Sequence, residues 1–319
     1  MRRRDFVRTA SLSIPAMGLF PAGLQGMKRA PEPSKLEKRS LGKTGAMLSV
    51  IGFGGIVVMD ATPAAAAAAV RKAIDAGVNY FDVAPSYGDA EVKLGPALEP
   101  YRKDVFLACK TGRRTRDEAR KELEKSLVNM RTDHFDLYQH HAVTTLEEVD
   151  QILGPGGAME TFLEARKEGK IKFIGFSAHS VEAALALMTR FDFDTILFPF
   201  NYATWYAGNF GPQVLEMAHG KNMGILALKS MARGPWGEGA DKSGYPKCWY
   251  EPLTSEQDIE KGLRFTLSHP ITAAVPPGEE KLFMMALGMA DRLKPLDDGE
   301  VLEMKEKAFK GEPLFRYES

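Results

Sequence analysis

The sequence predicts an α/β protein built as a (β/α)8 TIM barrel, with a β-hairpin ahead of the first barrel strand and extra helices after the last. Three observations carry that prediction. From residue 51 onward, eight short β-rich apolar runs alternate with amphipathic helical stretches, the pattern of βα units around a parallel sheet. Most of the runs are continuously apolar, as expected of strands covered on both faces. No Gly-x-Gly-x-x-Gly follows any of them, which counts against an open doubly wound sheet with the same periodicity.

The elements follow in chain order. Residues 36–50, with Gly42-Lys43-Thr44-Gly45 as turn residues, read as a hairpin placed to cover the N-terminal bottom of a barrel. Strands are expected at 51–54, 79–82, 105–110, 135–139, 172–176, 195–198, 224–229 and 272–275. The first helix has an N-cap and first-turn proline in Thr62-Pro63, a buried stripe in the alanine run with Val70, Ala73 and Ile74, and a left-handed stop at Gly77. The same stop stands at Gly169 and in the region 220–224. Helix-to-strand connections are therefore short and strand-to-helix connections longer, so functional loops gather at the C-terminal face of the strands. Two helices close the chain, at about 279–292 and 297–309.

Composition agrees with one such barrel. Of the 319 residues, 44% are hydrophobic and 26% charged, enough for a large core without disulfides or metals. Cys109 and Cys248 are too few for a disulfide framework and are not spaced as zinc ligands. Lys plus Arg and Asp plus Glu are 42 each, so the basic excess of a nucleic-acid binder is missing and a small-molecule partner is expected. His134, His179 and His219 have no carboxylate or cysteine at metal-ligand spacing, and no metal is expected.

The first thirty residues read separately. Arg3-Arg4-Asp5-Phe6-Val7-Arg8 followed by a mildly apolar stretch to Leu24 resembles a twin-arginine export signal. Pro15, Gly18, Pro21 and Gly23 break that stretch, so no stable transmembrane span is expected. The organisation anticipated is a signal segment at 1–30, a linker at 31–35 and a barrel at 36–319. The export machinery would then be a partner and the location periplasmic; the alternative is a basic tail on a cytoplasmic enzyme.

Ionisable residues cluster at the predicted strand ends. Asp82 follows the second strand, Lys110 ends the third and His141 follows the fourth, while Tyr87 lies in the loop after Asp82. An unperturbed phenol has a pKa near 10. An ammonium at Lys110 would favour its ionised form, and Asp82 would keep that lysine charged and oriented. His141 would hydrogen-bond the substrate oxygen. Trp205, Tyr206, Trp236, Trp249 and Tyr250 fall in strand-to-helix loops, either lining a pocket or packing a lid.

Five segments, in order, resemble the aldo-keto reductase superfamily. They are Leu41-Gly42-Lys43-Thr44-Gly45, Ser49-Val50-Ile51-Gly52-Phe53-Gly54-Gly55, the stretch from Gly77 through Asn79, Tyr80, Phe81 and Asp82 to Tyr87-Gly88, Phe135-Asp136-Leu137-Tyr138-Gln139-His140-His141, and the stretch from Gly169 to Ser177. The resemblance implies an NADP(H)- or NAD(H)-dependent hydride transfer to or from a carbonyl or alcohol, with Asp82, Tyr87, Lys110 and His141 as catalytic tetrad. It also implies cofactor contacts at Gly54, Gly55, Ser177, Lys229, Ser230, Gly278 and Lys281. Departures accompany it: Ser177-Ala178 stands where Ser-Asn is usual, Leu197 where a glutamine is, and Lys229 where a tyrosine stacks under the nicotinamide. Three functions stay open, namely a reductase or dehydrogenase that exchanges its cofactor, a barrel that retains it for internal redox (epimerase or lyase type), and a non-catalytic cofactor sensor.

Overall fold

Alternating strands and helices close into a barrel in the computed structural model, which describes residues 36–289 and 292–318. The proposed signal and linker lie outside the described residues. A hairpin comes first: β1 (Lys38–Ser40) pairs antiparallel with β2 (Met47–Ser49). The barrel strands follow as β3 (Phe53–Gly54), β4 (Tyr80–Asp82), β5 (Phe106–Thr111), β6 (Phe135–Val143), β7 (Ile171–Ala178), β8 (Thr195–Pro199) and β9 (Gly224–Leu228). A small hairpin of β10 (Ala232–Gly234) and β11 (Glu251–Pro252) precedes the last barrel strand, β12 (Ala273–Val275). The eight barrel strands pair in parallel in sequence order, and a parallel bridge from Ile51 to Ala274 joins first to last.

Packing between them are α1 (Pro63–Asp75), α2 (Ala90–Leu98), α3 (Arg116–Asn129), α4 (Leu146–Leu153), α5 (Ala158–Lys167), α6 (Val181–Arg190), α7 (Tyr202–Tyr206), α8 (Pro212–Gly220) and α9 (Glu256–Leu267). The additional C-terminal helices are α10 (Glu280–Leu287) and α11 (Asp298–Lys310). Thr62 caps α1 by accepting from the Ala65 N–H, and Gly77 and Gly169 take the positive φ of their stops, 93° and 75°. In the region 220–224 the left-handed residue is Asn222, φ 51°, not a glycine. Asparagine tolerates that region because its short polar side chain hydrogen-bonds locally.

The core has two parts. Leu41, Leu48, Tyr80, Phe106, Ala108, Leu137, Leu197, Leu226 and Ala273 fill the barrel interior, and a larger layer separates strands from helices. The hairpin turn plugs the bottom: Lys43 N–H donates to Asn222 O (2.8 Å), and Leu41 is fully buried. Gly42 has φ 50°, and a Cβ there would stand 2.3 Å from the Met223 carbonyl carbon and 2.4 Å from Gly224 N. Backbone cannot yield as a side chain can, so Gly42→Ala is expected to cost about 2–3 kcal/mol. Urea unfolding should show this as a lower midpoint with unchanged slope; an unchanged midpoint would mean that the hairpin does not seal the barrel.

Candidate active site

Side chains alternate along a strand, so inward-facing residues recur every second position. Tyr80 and Leu137 are packed in the barrel interior, and the same alternation turns Asp82, Gln139 and His141 inward. Along β5, Phe106 and Ala108 fill the interior and Lys110 continues their row. His140 faces outward instead, its ring stacked on Phe162 of α5 at 4.0 Å.

Lys110 is fully buried and Asp82 nearly so. The lysine Nζ donates to Asp82 Oδ1, to Val83 O at 3.3 Å and to the Tyr87 hydroxyl at 3.3 Å. Asp82 Oδ2 accepts from the Tyr80 hydroxyl (3.1 Å) and Gln139 Nε2 (3.2 Å). Burial alone would lower the Lys110 pKa, but Asp82 and then Tyr87 carry it above the ordinary lysine value. The ammonium is therefore fixed and charged.

Tyr87 is brought back over the strand ends by a tight turn. Its N–H donates to Ala84 O and its carbonyl accepts from Ala90 N, both at 3.0 Å, and Gly88 takes φ 56°. Burial raises the Tyr87 pKa; the opposing pull of Lys110 is second, and the net shift is upward. The ammonium favours the phenolate as expected, but desolvation outweighs it, and Tyr87 is protonated at neutral pH. His141 lies edge-on to Tyr87, ring centroids 5.6 Å apart, with Nδ1 3.3 Å from Ser86 Oγ. Burial, then the charge of Lys110, lowers the His141 pKa to about 3, so the ring is neutral. Arg114 anchors the same residue by donating to its carbonyl at 2.7 Å.

These four side chains share a cavity of about 220 Å³. Of the residues expected at a cofactor, Gly54, Ser177, Lys229 and Gly278 line it, whereas Gly55, Ser230 and Lys281 do not. Gly55 packs on Val83, where a Cβ would stand 2.7 Å from Cγ2. Ser230 is buried behind the wall, and Lys281 is exposed on α10. Ser177 Oγ accepts from the Ala142 N–H at 2.7 Å. Trp249 and Tyr250 line the cavity, while Trp205 and Tyr206 pack on Phe265 and Trp236 Nε1 bonds to Cys248 O.

Sequence reasoning missed Gln139, His179 and Lys247. Gln139 was available from alternation, two residues before His141. Lys247 was not, because it reaches the cavity through a long irregular loop, where its Nζ donates to Ile56 O (3.2 Å) and Val57 O (3.1 Å). Among the described residues no cluster of His, Cys, Asp or Glu is arranged to hold a metal ion.

The model of the Aldo/keto reductase family matches residues 50–253. The chain belongs to the aldo/keto reductase family. Membership makes it an oxidoreductase-type protein of an NAD(P)(H)-using family. YqkF of Bacillus subtilis (strain 168), an uncharacterized oxidoreductase, is 26% identical over 278 residues, spanning 77% of this chain and 88% of YqkF. L-galactose dehydrogenase of Arabidopsis thaliana is 28% identical over 217 residues, spanning 63% and 67%. The solved holo form of aldo-keto reductase AKR11C1 from Bacillus halodurans superposes with a TM-score of 0.67 at 21% identity, over 89% of this chain and 99% of that one. That likeness is one of fold.

The comparisons also correct the expected location. Export to the periplasm is overturned by the bacterial relatives, YqkF among them, whose likeness brings no support for a twin-arginine signal. No described helix is long and apolar enough to cross a membrane.

Proposed function

We propose that the protein is an NAD(P)(H)-dependent oxidoreductase acting on a carbonyl or alcohol, with Tyr87 as general acid and base, Lys110 and Asp82 as its electrostatic support, and His141 as donor to the substrate oxygen. The observation that carries this reading is the Tyr87 hydroxyl 3.3 Å from the Lys110 ammonium in one cavity with His141. When bound, the nicotinamide supplies or accepts the hydride. In reduction, Tyr87 gives its proton to the carbonyl oxygen and Lys110 steadies the phenolate left behind. With the Ser86 hydroxyl donating to Nδ1, the neutral His141 ring keeps its N–H at Nε2 as the second donor to that oxygen.

The cofactor end fits a dinucleotide phosphate. Gly278 lines the cavity beside the start of α10, whose N-cap residue Glu279 makes no capping bond. Free first-turn N–H groups of that kind suit a phosphate. The two acidic residues there are engaged elsewhere: Glu279 Oε1 accepts from Lys247 N at 2.6 Å, and Glu280 pairs with Lys72 at 3.6 Å. NADP is the preferred cofactor and NAD the lesser one.

A second reading keeps the nucleotide permanently bound for internal redox. The bonds from Lys247 to Ile56, Val57 and Glu279 favour it, because they tie the loop across the cavity. The test is a carbonyl and alcohol screen followed by nicotinamide absorbance, on protein first denatured and assayed for released nucleotide. Stoichiometric release supports retention, rapid exchange on dilution supports an ordinary reductase, and a native chain that binds nucleotide but turns over no carbonyl or alcohol supports a non-catalytic sensor.

The pKa directions set the pH profile for a neutral aldehyde. His141 and His179, the histidines lining the cavity, have pKa values lowered to about 3 and about 4, so neither ionises between pH 5 and 7. Because burial holds the Tyr87 pKa above the ordinary phenol value, kcat/KM for reduction should stay level through neutral pH and fall only in strongly alkaline solution, where alcohol oxidation should rise. A histidine-like midpoint near 6.5 would contradict a neutral His141.

A further inference from the structure

One ammonium group in the cavity has no part in this chemistry. Lys229 follows β9 with φ 64°, a region that non-glycine residues enter rarely and under strain. A turn from Ala232 N to Lys229 O (2.9 Å) holds it there. Its Nζ lies over two aromatic rings, 4.9 Å from the centre of Trp249 and 4.6 Å from that of Tyr250. Burial lowers its pKa to about 8, with only the Cys248 thiol acting to raise it, so at neutral pH most of the population stays charged.

Among the described residues no carboxylate compensates this cation. Asp82 is, among the described residues, the one carboxylate that lines the cavity, and Lys110 already neutralises it. The Lys247 ammonium is taken up by the carbonyls of Ile56 and Val57. Lys229, by contrast, lines the same cavity as Tyr87, Lys110 and His141 and has no carboxylate partner among the described residues. His179 lines the same cavity, and its Nε2 is buried without a hydrogen-bond partner among the described residues. A half-buried cation and an unpartnered imidazole nitrogen in one cavity are unfavourable until an anionic group meets them.

We propose that Lys229, with His179 beside it, is the anion-binding subsite of the substrate pocket, and that the preferred substrates are carbonyl compounds, or their alcohols, carrying a carboxylate. This rests on the reading of Tyr87, Lys110 and His141 as the groups that act on the carbonyl. Lys229 supplies the charge, Trp249 and Tyr250 hold its chain against the wall, and the carboxylate fixes which end of the substrate faces Tyr87. In this role the lysine is a specificity residue rather than a group that moves a proton.

The experiment compares 4-carboxybenzaldehyde with 4-methylbenzaldehyde as substrates of the full chain with NADPH, and measures terephthalate binding by calorimetry on protein saturated with NADP. The native chain should favour the carboxylate-bearing aldehyde in kcat/KM. In Lys229→Met the ratio of the two kcat/KM values should fall on the order of 30-fold, the size of one lost charge-assisted contact, through the KM for the acid. Lys229→Arg should retain most of the ratio, and terephthalate binding should weaken in parallel with it. An unchanged ratio in Lys229→Met, a loss confined to the KM for NADPH, or inorganic phosphate competing better than benzoate would overturn the carboxylate subsite. If the native chain reduces both aldehydes equally and does not bind terephthalate, the subsite falls and the reductase reading stands. If no aldehyde is reduced but terephthalate binding still depends on Lys229, the reductase reading falls and the subsite stands.

Discussion

Replacing Tyr87 by phenylalanine is expected to lower kcat for carbonyl reduction by about 10²-fold or more, the usual scale for loss of a general acid. The ring stays, so the edge-on contact with His141 and the turn closed by Ala84 and Ala90 survive, and the fold should be unaffected. Only the hydroxyl facing Lys110 is lost. Nucleotide affinity should change little, because the phosphate end at Gly278 and α10 is formed by other elements. Steady-state kinetics paired with nucleotide titration separates the two quantities. A variant with native kcat would show that another group protonates the oxygen; His141, neutral and in the same cavity, would be the next to replace.

Much of this arrangement was legible in the sequence, for reasons that differ between elements. The barrel strands announce themselves because both their faces are covered, so apolar residues run without interruption, and stops such as Gly77 and Gly169 are read from backbone constraint alone. Errors fall where the local signal is degenerate. β6 runs on to Val143 past the polar His140 and His141, because the register break after His140 and the Ala142–Ser177 contact extend it. The stop at Asn222 was read onto glycines, since asparagine reaches the same conformation with a weaker sequence signature.

The site divides in the same way. Asp82, Lys110 and His141 are fixed by strand alternation and are found together, but the sign of the Tyr87 shift is not a sequence property. It depends on how far desolvation outweighs the neighbouring ammonium, which only the packing around the hydroxyl determines. Contacts carried by the 229–255 loop were the least accessible. Lys247 and Trp249 reach the cavity through a segment with little regular structure, so no periodicity assigns their side chains a direction.

Lys110→Met is expected to be the most disruptive single change at the site, in stability as well as activity. It removes the partner of a carboxylate inside the barrel, leaving Asp82 with two neutral donors, the Tyr80 hydroxyl and Gln139 Nε2. An unpaired buried charge of this kind costs about 3–5 kcal/mol, and a general acid without its supporting ammonium loses about 10²-fold in rate. The double variant Asp82→Leu/Lys110→Met separates the two effects, because replacing a buried ion pair with apolar side chains is often neutral or stabilising. Urea unfolding should return to near the native midpoint in the double variant while turnover stays as low as in the single one. A pair retained for folding would give the opposite outcome, with the double variant less stable than the single. Stability regained without activity would show that the barrel carries the buried charges for the chemistry at Tyr87, because an apolar pair in their place would hold the strands as well.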